Sequence, residues 1–129
     1  MTTDQINWPT LEEWADALES GEYPQGRGQL NGKGYCCLGV YADLCVKRGI
    51  GGWQRSLGGG YDYIVHGVFY GVFYGRQLPT LFGPVCGIGH GFHPDLPLTQ
   101  LNDGGTPFHE IAKLIRAKAR ADDQGRLVP

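Results

Sequence analysis

Apolar residues recur with a helical period in three stretches of the chain. Leu11, Trp14, Ala15 and Leu18 stand at i, i+3, i+4 and i+7 and make one apolar face. The run Pro9-Thr10-Leu11-Glu12-Glu13 in front of it reads as a capping box, with Thr10 as N-cap and Glu13 reaching back. Gly21 supplies a left-handed cap at the far end. A second stripe, Cys37, Val40, Tyr41, Leu44 and Cys45, predicts a helix from about Cys36 to Arg48, ended by Gly49. Asp43, Lys47 and Arg48 fall mostly off that stripe. The third stripe is Phe108, Ile111, Ala112, Ile115 and Ala119. Thr106 is its expected N-cap, and Pro107 is tolerated at the first helical position because its nitrogen needs no partner there.

Between the second and third helices the period changes. Tyr61, Tyr63 and Val65 alternate like one strand, and Val68 to Tyr74 like another, with a short direct repeat Gly-Val-Phe-Tyr at 67–70 and 71–74. Asn31-Gly32 is a hairpin signal that predicts short strands at 28–30 and 33–35. Leu78–Phe82 reads as one helical turn, and 83–97 as an ordered loop. The expected fold is α+β. Three main helices pack on a small antiparallel sheet drawn from 24–35 and 61–75, joined by Gly-rich loops. The expected core is Leu11, Trp14, Leu18, Cys37, Val40, Tyr41, Leu44, Leu101, Phe108, Ile111 and Ile115. The 129 residues suit a single domain, 1–129, with 1–9 and 122–129 frayed and 51–94 a Gly- and aromatic-rich variable middle.

Composition narrows the function classes. Hydrophobic residues make up 41% of the chain, as in a packed protein, and the 22 glycines exceed twice the usual share of about 7%. The net charge of −2 disfavours a globally basic nucleic-acid binder. No stretch of apolar residues is long enough to span a membrane, and the N-terminus lacks a signal pattern, so a cytoplasmic protein with reduced cysteines is expected.

Four constellations could carry chemistry. A cysteine at a helix start can be a low-pKa nucleophile, because the helix dipole favours thiolate, or a small buried hydrophobe. The order Cys36 or Cys37, then His66, His90 or His93, then Asn102 or Asp103 has the Cys-His-Asn order of a thiol hydrolase, with Cys37, His90 and Asn102 as the candidate set. Cys86, His90 and His93 offer three zinc ligands in eight residues, at a spacing unlike the usual ligand pairs. His109, Lys113, Arg116 and Arg120 lie on the flank of the last helix, where they either face an acidic partner or form a solvated face. Tyr61, Tyr63, Phe69 and Tyr70 could stack on a ligand, or simply be core. No phosphate-binding fingerprint occurs, and no cofactor is expected.

The chain also resembles an uncharacterised family of small proteins from actinobacterial phages and prophages. The resemblance lies in "ALESGEYPQGRGQL" (Ala17–Leu30), "YCCLGVYADL" (Tyr35–Leu44) and "LTQLNDGGTPFHEIAKLI" (Leu98–Ile115). It leaves out 51–94. It implies origin more than mechanism, and the "CCLGV" stretch resembles a packing motif there. The resemblance and the missing catalytic motifs together lead to an expectation. The protein is read as a non-catalytic binding protein that occupies a host protein or sequesters a small host molecule, with self-association left open. The alternative is a Cys-dependent hydrolase using Cys36 or Cys37 with His90.

Overall fold

A computed structural model describes residues 8–26, 31–32, 34–55, 61–65, 71–73 and 92–127. The fold is mixed and dominated by helices. The elements are α1 (Leu11–Glu19), α2 (Cys37–Lys47), β1 (Gly52–Arg55), β2 (Tyr61–Val65), β3 (Gly71–Phe73), α3 (Leu98–Asp103) and α4 (Phe108–Leu127). The helical turn expected at 78–82, the strand at 28–30 and most of the loop at 83–97 lie outside the described residues.

α1 begins as its sequence dictates. The Thr10 hydroxyl accepts from the Glu13 N–H at 3.1 Å, and the Glu13 carboxylate accepts from the Thr10 N–H at 3.3 Å. The chain leaves the helix through Gly21 at a φ of 79°, a conformation that a side chain would strain. Trp14, Ala15 and Leu18 turn into the core. α2 is apolar nearly all round: Cys37, Leu38, Gly39, Val40, Tyr41, Ala42 and Cys45 are buried. A helix of that kind must be enclosed by its neighbours.

The helices chiefly pack on one another rather than on a sheet. α1 lies against α4 and α2, and α3 touches both α2 and α4. Tyr63 of β2 joins the same core, and Trp53 of β1 packs against it. The omitted fourth helix, α3, buries Leu98 and Asn102, which stand four residues apart on one face. Trp14 sits where α1 meets α2. Its indole N–H donates to the Cys37 carbonyl at 2.9 Å, and its ring meets Tyr41 and Phe92 edge-on at 5.4 and 5.6 Å. Full burial of such a ring removes a large apolar area from water and satisfies its single polar atom. Of the expected core, Trp14, Leu18, Cys37, Val40, Tyr41, Phe108, Ile111 and Ile115 are buried, while Leu11, Leu44 and Leu101 pack against them partly buried.

The strands pair antiparallel in the order β1-β2-β3, with Trp53 opposite Tyr63 and Tyr63 opposite Phe73. β1 falls in the Gly- and aromatic-rich middle, ahead of the alternation that begins at Tyr61. Among the described residues of 24–35, none lies in a strand of this sheet. They make isolated bridges only, Gln25 with Tyr35 and Asn31 with Tyr35 and Tyr61. Two backbone segments cross there too closely for side chains. A Cβ on Gly26 would lie 2.8 Å from the Gly34 carbonyl carbon, and one on Gly34 would lie 2.8 Å from the Pro24 oxygen.

α4 starts one residue later than expected, at Phe108. The Phe108 N–H donates to the Gln25 side-chain oxygen at 3.2 Å, so a distant glutamine rather than Thr106 meets this helix end. α4 then runs to Leu127.

Candidate functional site

The catalytic alternative depends on the paired cysteines. Cys36 is the N-cap residue of α2 and Cys37 its first helical residue, so the helix dipole favours thiolate at both. Burial decides against it. Cys36 is 3% exposed and Cys37 fully enclosed. Removal from water pushes the Cys36 thiol up to about 11, and the N–H groups of Gly39 and Leu38 offset only part of that. Burial pushes Cys37 well above the ordinary thiol value, and the neighbouring Cys36 adds to it. The Cys37 S–H points to the Leu98 carbonyl oxygen at 3.7 Å. Burial also pushes Cys45 up to about 12, against the pull of the Tyr63 hydroxyl and Arg48. All three thiols are therefore held protonated at neutral pH, as core atoms.

The remaining hydrolase residues are committed elsewhere or lie outside the described residues. Asn102 is buried and fully engaged. Its oxygen accepts from Gln25 Nε2 at 2.9 Å, and its amide donates to the Gly26 carbonyl at 2.8 Å and to Asp103 at 3.4 Å. The same Gln25 nitrogen donates to the Thr106 carbonyl at 2.8 Å. Gln25 and Asn102 thus bracket the Gly26 crossing against α3 and the start of α4. His93 Nδ1 accepts the N–H groups of Asp95 and Leu96, both at 3.1 Å, which folds the turn before α3. His66, Cys86 and His90 lie outside the described residues. Among the described residues, no group of three or more His, Cys, Asp or Glu is placed to hold a metal ion.

The other nominated sets are dispersed. Tyr61 is 43% exposed, whereas Tyr63 is buried and donates its hydroxyl to the Ile50 carbonyl at 2.6 Å. Phe69 and Tyr70 lie outside the described residues. On α4, Arg116 is turned inward to α1, where it pairs with Glu12, Asp16 and Glu19. Those carboxylates hold the Arg116 guanidinium more firmly protonated than usual. His109 and Lys113 pair with Glu110 on their own helix, and Arg120 is exposed. The stripe therefore contains a clamp between α1 and α4 at its centre.

A different cluster brings charge and aromatic surface together. Asp43, on α2, receives the Tyr23 hydroxyl on Oδ2 at 2.6 Å and the Trp53 indole N–H on Oδ1 at 3.0 Å. Lys47, one turn on, lies 3.5 Å from the same Oδ2 and donates to the Tyr23 oxygen at 2.8 Å. Its ammonium also stands 5.0 Å from the centre of the Tyr23 ring. Tyr35 meets Tyr23 edge-on at 5.0 Å and Trp53 at 6.5 Å, and Trp53 meets Tyr63 at 5.9 Å. Burial raises the Tyr23 hydroxyl pKa, and the Asp43 carboxylate adds to it. The hydrogen bond to Tyr23 raises Lys47, with the charge of Asp43 adding to it. Tyr61 joins the edge of this region through its N–H, which donates to the Asn31 carbonyl at 2.7 Å.

The sequence held one clue to this cluster. Asp43 and Lys47 are four residues apart in a helix that is otherwise strongly apolar. Tyr23, Tyr35 and Trp53 come from three separate segments, and no local pattern links them.

Residues 7–68 match the family described as Domain of unknown function (DUF8296). The matched stretch takes in α1, α2, β1, β2 and every residue of the Asp43 cluster. No curated protein and no solved structure matches the chain. Among the described residues, no helix is long and apolar enough to cross a membrane.

Proposed function

We propose that this is a non-catalytic binding protein of phage or prophage origin that occupies a host protein. Its recognition surface is the aromatic and charged cluster of Tyr23, Tyr35, Asp43, Lys47 and Trp53. The carrying observation is the burial of Cys36 and Cys37 with thiol pKa values raised by desolvation. Thiol catalysis needs an accessible sulfur that ionises near neutral pH, and both sulfurs are the reverse. The resemblance of the chain's two ends to small actinobacterial phage proteins supports the origin and the host as target.

Iodoacetamide labelling tests this reading. In a Cys86→Ser background at neutral pH, Cys36, Cys37 and Cys45 should stay unmodified in the folded protein and react after unfolding. Rapid labelling of Cys36 or Cys37 in the folded state would overturn the proposal in favour of a thiol enzyme.

A further inference from the structure

We infer that Tyr23, Asp43 and Trp53 form a receptor for the primary ammonium of a partner protein's lysine, and that Lys47 occupies this receptor until the partner arrives. This rests on the binding-protein reading above and names the chemistry of its ligand.

The ligand class follows from what already sits in the site. Lys47 Nζ meets two acceptors at once, the Asp43 carboxylate at 3.5 Å and the Tyr23 oxygen at 2.8 Å. A carboxylate and an acceptor oxygen together select a cation with N–H donors. The carboxylate is held ready. The Asp43 side chain is only 15% exposed, and Trp53 and Tyr23 each donate to one of its oxygens. An acceptor fixed in advance loses little freedom when it binds. With each oxygen already receiving one donor, the carboxylate suits a point-charge ammonium better than the two parallel bonds of a guanidinium.

The resident cation is replaceable. The Lys47 side chain is 60% exposed, and an exposed ion pair contributes little stability while restraining a flexible side chain. A lysine from a partner can make the same contacts while its own chain covers Tyr61 and Tyr35. Lys47 then acts as a tethered competitor that sets a threshold for binding.

The Trp53 indole N–H resonance reports the site directly, and a Trp53→Phe spectrum assigns it. The probe is Nα-acetyl-lysine amide at matched ionic strength. Lys47→Met keeps the aliphatic stem and removes the competing charge. It should bind the probe at least about tenfold more tightly than the wild type, a difference of about 1.4 kcal/mol. Tyr23→Phe in the Lys47→Met background keeps the ring and should lose most of that gain. Tetramethylammonium, which has no N–H, should shift the resonance far less. An indole resonance that stays still in folded Lys47→Met, or an equal response to tetramethylammonium, overturns the inference. Iodoacetamide mapping of the same samples separates the two failures. A silent indole with protected thiols rejects only the ammonium receptor, whereas a reactive Cys36 or Cys37 rejects the binding-protein reading itself.

Discussion

Trp14 and Trp53 both donate an indole N–H across an element boundary, yet they do so in opposite settings. Trp14 is fully enclosed, and its partner is a backbone carbonyl, that of Cys37. Around it, Tyr41 likewise donates to a backbone oxygen, that of Pro9, at 2.9 Å. Trp53 is half-buried, and its partner is the charged side chain of Asp43, beside an exposed Lys47. Neutral donors on fixed carbonyls position helices. Charged side chains at a half-wet surface can exchange partners. The contrast sets a neutral, enclosed cysteine side of α2 against a charged, half-wet Asp43 side.

The largest expected effect breaks the inner region. Trp14→Ala leaves a cavity between α1 and α2 and should cost about 3–5 kcal/mol in urea denaturation. Asn102→Ala strands the Gly26 carbonyl and one Gln25 donor hydrogen bond, and should cost about 2–3 kcal/mol by the same measurement. Both losses should leave the Asp43 cluster intact wherever the protein still folds.

Alkaline titration addresses the same region without mutation. Cys36 is pushed up to about 11 and Cys45 to about 12 in the folded state, against an ordinary thiol value of 9.0. The unfolded chain therefore releases these protons first. The resulting stability is complete below pH 9 and is lost as pH rises through the folded-state values. Between pH 9 and 10, denaturation should show a fall of about 1 kcal/mol per thiol, and Cys36→Ala should reduce the slope.

The outer contacts should matter less to stability. Trp53→Phe keeps most of the ring and removes one bond to Asp43, so the expected cost is about 1 kcal/mol. Arg116→Met removes the exposed clamp between α1 and α4. It should cost about 0.5–1 kcal/mol in low salt and less in 1 M salt, measured by thermal melting in the two buffers. A cost for Trp53→Phe as large as that for Trp14→Ala would erase the distinction between the two regions.

The sequence disclosed what local repetition can encode. The Thr10–Glu13 capping box and the three apolar stripes lie within α1, α2 and α4, because a helix face and its cap are set by neighbours three and four residues apart. α3 is not legible in the sequence, because six residues are too few to display a period. Its N-cap is Pro97, which offers no side-chain signal. Gln25 and Asn102 stand 77 residues apart, so their bond had no trace in spacing. Asn102 holds the third place in the Cys-His-Asn order, and its full burial gives it another task. The Asp43 cluster was hidden for the same reason, since three of its rings arrive from separate segments.

The most direct measurement is the rate at which Cys37 reacts with iodoacetamide as urea is raised through the unfolding transition. The rate should follow global unfolding, so that the free energy of exposing Cys37 equals that of denaturation. A Cys37 that reacts in the absence of urea at the rate of a free thiol would contradict it.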